Sequence, residues 1–421
     1  MRTNTTISAL LLLLTLAGCG GSDPSASTQA NASAAPTLLA KAGAKPTYPS
    51  YNTSPKPADM TGMASDAVAL ATSIKAGYNI GNTLEAIGGE TNWGNPMISL
   101  QQVQLIKQSG FTAVRLPTSW DQYANQTTGK ISDVWLARVK QVVQYCVDNG
   151  LYVVVNIHWD GGWLDNNITT AAQAATNAKQ KAYWEQIATA LRDFDEHLLF
   201  AGSNEPPVDT AAKMSILQSY HQTFINAVRS TGGKNAYRTL IVQGPGTDID
   251  KTYNLMNTMP TDTVMRRMMV EVHHYIPYNF TMMDADQSWG NQFYYWGAGY
   301  HSSTDTAHNP TWGEEAELTA YLNKMKTKFV DKGYPVLIGE FGAMRRSALT
   351  SPADLQLHLN SRAYFLNYSS RQAVAMGMMP FYWDNGVTGN NGWAIFNRQT
   401  NTVFDQQAVS ALVRGGNGLG L

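Results

Sequence analysis

Two glutamates carry the first chemical signal in this sequence. Glu205 sits in "AGSNEPP" (residues 201 to 207), directly after Asn204 and directly before two prolines. Pro206 fixes its own backbone and pushes Glu205 toward an extended conformation. A simple turn explains the prolines but not the Asn-Glu pair. The second glutamate, Glu340, closes the strand-like run "PVLIGEFG". Two carboxylates facing one another across a cleft suit cleavage of a glycosidic bond: one protonates the leaving oxygen while its ionised partner attacks the anomeric carbon.

Other polar residues recur at the ends of strand-like runs: Asn79, Asn82, Arg115, His158, Asn204, His273, Tyr275, Trp383 and Asp384. Their chemistry suggests a division of labour. Arg115 supplies a positive charge that lowers the pKa of Glu340 and keeps it ionised, as a nucleophile requires. His273 beside Glu205 tunes the proton of an acid/base group. Asn204 is placed to bind a sugar 2-hydroxyl, and Tyr275 to donate its hydroxyl to Glu340. "HH" at 273 and 274 has no third ligand at a usable spacing, and successive strand residues face opposite ways, so neither metal nor cofactor is expected.

Positioning these groups requires strands that end in one place. Candidate strands run over residues 76 to 81, 113 to 117, 151 to 158, 198 to 205, 239 to 244, 268 to 274, 335 to 342 and 378 to 386. Helical periodicity lies between them, as in Trp184, Ile187, Leu191 and Phe194, or Leu217, Tyr220, Phe224 and Val228. Eight alternations predict an α/β fold, a (β/α)8 TIM barrel, over residues 59 to 421. The polar strand ends then share the C-terminal mouth where such barrels do chemistry. Polar side chains in such numbers are hard to satisfy as structure alone.

The chain has 421 residues, 43% hydrophobic and 14% charged, with a formal net charge of −1 and no Lys/Arg-rich run. That excludes an electrostatic case for nucleic acid, and a monomer is expected. At the N-terminus, Arg2 precedes the apolar run "ISALLLLLTLAG", too short to span a bilayer and suited to a secretion signal. The run ends in "LAGC", which resembles the lipobox of bacterial lipoproteins. Residues 1 to 19 thus read as a lipoprotein signal peptide, with Cys19 as the lipidated anchor of an exported, envelope-bound protein. Residues 20 to 58, rich in Ser, Ala, Thr and Pro, read as a flexible linker. The other cysteine, Cys146, shares helical spacing with Val139 and Val143 and reads as a core thiol.

A long stretch after the sixth strand, residues 275 to 315, is dense in aromatics. Sugar rings stack their C–H faces on such side chains. Trp289, Tyr294, Tyr295, Trp296 and Trp312 are candidate subsite walls, together with Trp93, Trp120, Trp163 and Trp393. About half of them are expected to touch substrate and the rest to pack the loop. Trp135 and Trp184 sit on helical patterns and are expected in the core.

Residues 60 to 400 resemble glycoside hydrolase family 5 in "GYNIGNTLEA", "VRLP", "VNIHWD", "SNEPP", "VHHY", "LIGEFG" and "YWDNG". The resemblance implies a retaining (β/α)8 enzyme with Glu205 as acid/base, Glu340 as nucleophile and Trp383 as a sugar platform. Arg115, His158, Asn204, His273 and Tyr275 complete the family's pattern. "GYNIGNTLEA", "WGNP" and "YWDNG" resemble the bacterial endoglucanase subgroup that also holds xyloglucanases and lichenases, and the mannanases less. Trp159 stands where many relatives carry a second histidine. The implied activity is endo-cleavage of a β-1,4-glucan of the cellulose type. Xyloglucanase, lichenase and mannanase remain alternatives, as does a catalytically silent glycan-binding protein. The latter is disfavoured because both glutamates and Arg115 are present, and an esterase because no G-x-S-x-G elbow occurs.

Overall fold

The computed structural model describes residues 48–421. Eight parallel strands close a barrel: β1 (Gly77–Ile80), β2 (Ala113–Leu116), β3 (Tyr152–Asn156), β4 (Leu198–Ala201), β5 (Leu240–Gln243), β6 (Met268–His274), β7 (Val336–Phe341) and β8 (Met378–Asp384). They pair in chain order and β8 returns to β1. Each lies inside the run expected from the sequence, so the (β/α)8 fold class is observed. Several are shorter than expected, and Glu205, Asn204 and His158 lie just beyond their strands, in the loops that build the mouth.

Alternation along the strands sorts the core. Residues such as Val153, Val155, Val270 and Val272 face outward and join one apolar cluster with the surrounding helices. The helix Asp133–Asp148 contributes Trp135, Val139, Val143 and Cys146 to it, as its spacing predicts, and Trp184 joins from the helix Gln173–Ala190. Burying each large side chain stabilises the fold by about 1.5–3 kcal/mol.

Inside the barrel a second apolar cluster, with Val154, Leu199, Ile241, Met269, Leu337 and Met379, fills the lower end. The helix Ala67–Ser73 plugs that end with Ala67 and Leu70, its N-cap Asp66 accepting from Ala69 N. Above the plug the inward positions turn polar.

The tether expected over residues 20 to 58 ends earlier than its composition suggests. Tyr51 N donates to Glu185 Oε2 (2.6 Å), and Lys56–Ala58 pairs in parallel with Gly232–Gly233. A Cβ at Gly232 would lie 1.8 Å from the Lys56 carbonyl oxygen, so glycine permits this approach. Cys19 and the signal segment lie outside the described residues.

Candidate active site

The strand geometry at β7 decides where Glu340 points. Leu337 and Gly339 face inward, so strict alternation would aim Glu340 outward. The β6–β7 register slips between Val272 and His273, pairing Val272 with Ile338 but His273 with Glu340. The extra residue is Gly339, and the resulting bulge turns Glu340 into the barrel. No Cβ fits at Gly339, because it would lie 1.9 Å from Glu271 Oε1.

Arg115 is the hub of the polar layer and is fully buried. Its Nη1 donates to Glu340 Oε1 (2.9 Å) and Asn79 Oδ1 (3.0 Å), and its Nη2 to Asn204 Oδ1 (2.7 Å). Asn204 thus keeps its amide nitrogen for a ligand. Arg115 Nε lies 2.9 Å from Glu271 Oε1. Tyr275 donates its hydroxyl to Glu340 Oε2 (3.0 Å). His273 Nδ1 lies 2.6 Å from Glu205 Oε1, and its Nε2 3.3 Å from Glu271 Oε1. One oxygen of Glu205, one of Glu340 and a ring nitrogen of His273 all lie within 4.8 Å of one another. The side chain of Glu205 is 45% exposed, against 7% for Glu340, so Glu205 is the carboxylate on the solvent side.

Three carboxylates (Glu205, Glu271, Glu340) face Arg115 and His273. Burial pulls the His273 pKa down, but the charge of Glu340 and the bonds to Glu205 and Glu271 outweigh it and lift it to about 9. With His273 charged the cluster is one proton short of neutral. Burial lifts Glu340 above the usual carboxylate range although His273 and Arg115 pull it down. The expectation that Arg115 would leave Glu340 low thus gives the right sign for the pair but not for the sum. Burial also raises Glu205, and the hydrogen bond and charge of His273 more than offset it, leaving Glu205 lowered. His273 thus pulls on both glutamates, bonding Glu205 directly and meeting Glu340 at 3.6 Å.

His158 stacks parallel to Trp383, with centroids 5.8 Å apart, and burial with the charges of Arg115 and His273 keeps it neutral. The neighbouring His274 faces away from the barrel interior, as alternation requires, near Tyr321. Asp160 accepts from Trp120 N, Asp121 N and Trp163 Nε1, and Asp384 pairs with Arg398. Both carboxylates orient loops. A cavity of about 770 Å³ lined by Met265, Phe329 and Tyr334 lies by the N-terminal ends of β6 and β7, away from the glutamates.

The candidate aromatic walls divide by burial. Trp93, Trp289 and Trp312 are exposed, Trp289 by 65%. Trp120, Trp163 and Trp296 are buried and are not subsite walls. Trp120 Nε1 donates to the Asn156 carbonyl (2.9 Å), and Trp296 Nε1 to the Gly313 carbonyl (2.8 Å) with its ring edge-on to Phe365. Trp163 packs edge-on to Tyr183. Each indole finds both an apolar bed and an acceptor inside the protein, which the sequence does not reveal. Tyr295 is also buried, and Tyr294 stacks on His308. Trp393 is buried edge-on against Tyr275, 5.4 Å away, and steadies it.

Trp159, singled out in the sequence where many relatives carry a second histidine, is 48% exposed beside His158 and belongs with the exposed aromatics of the mouth. Sequence reasoning missed the layer beneath. Glu271 and Gln243 lie under the glutamate pair, fully buried. The available signal was Glu271 inside an otherwise apolar strand, two residues before His273 and so on the same face.

A closed (β/α)8 barrel with two glutamates within 4.8 Å of a shared histidine, above an arginine hub, defines the class of glycoside hydrolases built on a carboxylate pair. The family described as Cellulase (glycosyl hydrolase family 5) matches residues 76–389. The chain belongs to glycoside hydrolase family 5 and is an endo-acting β-glycanase. It is 37% identical over 377 residues to the xyloglucan-specific endo-beta-1,4-glucanase of Bacteroides ovatus, covering 85% of this chain and 72% of that protein. It is 34% identical over 393 residues to Endoglucanase A of Paenibacillus barcinonensis, covering 87% and 94%. Among solved structures, a xyloglucan-specific beta-1,4-glucanase from a ruminal metagenomic library, in complex with XXLG, superposes with a TM-score of 0.79 at 37% identity, covering 84% and 97%.

Proposed function

We propose that this chain hydrolyses internal β-1,4-glucosidic bonds with retention, through a covalent intermediate on Glu340. The observation that carries the reading is the glutamate spacing. Retaining enzymes hold their carboxyl groups about 5–5.5 Å apart and inverting ones about 6.5–9.5 Å, to admit a water. Oxygens of Glu205 and Glu340 within 4.8 Å leave no such room.

The donors assign the roles. Glu340 receives Arg115 on one oxygen and Tyr275 on the other, which suits an anion that must become a leaving group. Glu205 has one partner, His273, and an open side. A sugar covering Glu205 strips its water and favours its neutral form, so the proton on His273 Nδ1 moves there when the site is filled. Glu205 then protonates the glycosidic oxygen as Glu340 attacks C1. It next takes a proton from the water that frees the sugar. Asn204 binds the 2-hydroxyl, and His158 and Trp383 with the exposed tryptophans form the sugar-facing walls.

The backbone cleaved is a β-1,4-glucan. Xyloglucan is the favoured form of it, supported by the xyloglucan-specific names of the Bacteroides ovatus and ruminal relatives. Product analysis on carboxymethyl cellulose, barley β-glucan, tamarind xyloglucan and mannan, beside the Glu205→Gln variant, tests this. Mixed oligosaccharides from xyloglucan, lost in the variant, are expected. Binding without cleavage by the unsubstituted chain would support a silent glycan-binding protein instead. For location, the lipobox-like "LAGC" supports a lipid anchor at Cys19, and no helix among the described residues is long and apolar enough to cross a membrane. A Cys19→Ala variant is expected to leave the membrane fraction; retention there would refute the anchor.

A further inference from the structure

Glu271 lies one layer below the catalytic pair, with no exposed surface. It meets three strands. Arg115 Nε on β2 is 2.9 Å from its Oε1, His273 Nε2 on β6 is 3.3 Å from the same oxygen, and Gln243 Nε2 on β5 donates to its Oε2 (2.6 Å). Glycine at 339 leaves the space it fills.

Donor logic fixes every proton in this layer. The Ser203 backbone N–H donates to Gln243 Oε1 (2.9 Å), which forces the amide to present its NH₂ to Glu271. The Arg115 guanidinium, 2.9 Å from Oε1, holds the Glu271 carboxylate ionised by its charge, and Gln243 donates to Oε2. His273 must then carry hydrogen on Nε2. Its Nδ1 is left facing Glu205 at 2.6 Å, able either to donate to the carboxylate or to accept from the acid. The same network grips Glu205 from a second side, because Ser203 precedes Asn204 and Glu205 in the β4 loop. A plain counter-ion for Arg115 accounts for neither the imidazole contact nor the Gln243–Ser203 link.

We propose that Glu271 is a positioning residue that holds His273 in its Nε2–H form, so that one proton passes between His273 Nδ1 and Glu205 Oε1 during turnover. The exchange balances: a neutral acid and a neutral imidazole become a carboxylate and an imidazolium, with the proton crossing one hydrogen bond. The inference rests on the acid/base reading of Glu205. The other ionisable groups facing His273 are Glu340 and His158, with Arg115 and Tyr275 held on the same carboxylates. Glu271 is thus the anion that secures the imidazole from below while Glu205 changes charge.

The test is the pair of substitutions Glu271→Gln with Gln243→Glu in the folded chain. The double variant keeps each donor facing an acceptor but moves the charge off Arg115 and His273. Glu271→Gln alone serves as the stricter comparison. An opposite charge at this range shifts a titration by about 1–3 units. The His273–Glu205 pair of the double variant is expected to lose its last proton earlier. Both the imidazole titration followed by nitrogen NMR and the alkaline limb of kcat/KM should then fall by at least about one unit. An imidazole titration that coincides with the unsubstituted chain overturns the proposal. A shifted imidazole with an unmoved alkaline limb also overturns it, leaving Glu271 a structural ion-pair partner. The NMR titration needs no substrate, whereas failure of the unsubstituted chain to cut any β-glucan would count against the enzymatic reading itself.

Discussion

Replacing Tyr275 by Phe removes one hydroxyl and little else. The ring stays packed edge-on against Trp393, and the backbone carbonyl of Tyr275 still accepts from Thr281 Oγ1. What disappears is the 3.0 Å donor to Glu340 Oε2, leaving His273 Nδ1 3.6 Å from that oxygen. A hydrogen bond to a charged group contributes about 1.5–3 kcal/mol. The Tyr275 bond favours ionised Glu340, so its loss raises the Glu340 pKa. At 1.36 kcal/mol per unit, the acid limb of kcat/KM should move up by about 1–2 pH units.

Above that limb the two chemical steps respond differently. Attack by Glu340 discharges the carboxylate, so the hydroxyl gives the first step little. Release of the sugar regenerates the charge. With about half the charge developed, the second step loses about 0.8–1.5 kcal/mol, or roughly 4- to 12-fold. The glycosyl-enzyme accumulates, and kcat and KM fall together while kcat/KM changes less. Chromogenic aryl oligoglucosides followed from pH 4 to 9 read both effects, with a burst of the aryl group in the variant. An acid limb that stays in place, with kcat and kcat/KM falling equally, would refute Glu340 as the nucleophile supported by Tyr275.

Glu340→Ala should abolish hydrolysis and, with azide, yield a glycosyl azide of inverted configuration; a retained product would move the nucleophile elsewhere. Gly339→Ala drives a methyl to 1.9 Å from Glu271 Oε1, and overpacking of this kind costs about 1–3 kcal/mol. A clear fall in Tm with loss of activity is expected, and a fully active, equally stable variant would contradict the bulge geometry. Trp296→Ala should destabilise by about 3–5 kcal/mol in denaturant titrations, whereas Trp289→Ala should stay within about 0.5 kcal/mol and act on KM for polymer. Reversed effects would mean that the two indoles had been assigned to the wrong sides of the loop.

Much of the architecture was legible because local patterns repeat. Helical spacing in Val139, Val143 and Cys146 survives in the folded helix, since an amphipathic face must meet the sheet wherever the helix lies. The eight apolar runs ending in polar residues identified the barrel and its mouth, because only there do Arg115, Asn204, His273, Tyr275 and Glu340 find one another. Chemical type and order along the chain sufficed to nominate them.

Tertiary structure alone decided the rest. Glu340 points inward only because a one-residue slip against β6 overrides alternation, and register is a property of two strands rather than of one. Trp296 is buried and Trp289 exposed although both lie in the same aromatic loop, since burial depends on Phe365 arriving from a distant helix and on the loop folding back to bring the Gly313 carbonyl. Glu271 is a lone charge in an apolar strand as far as the sequence goes, and only the barrel brings it Arg115, His273 and Gln243. Residue types along the chain determined which groups are able to exchange protons and bind sugars. The closed barrel decided which of them touch, because a proton passes only between atoms a few ångströms apart, and those distances are set by strands far separated in sequence.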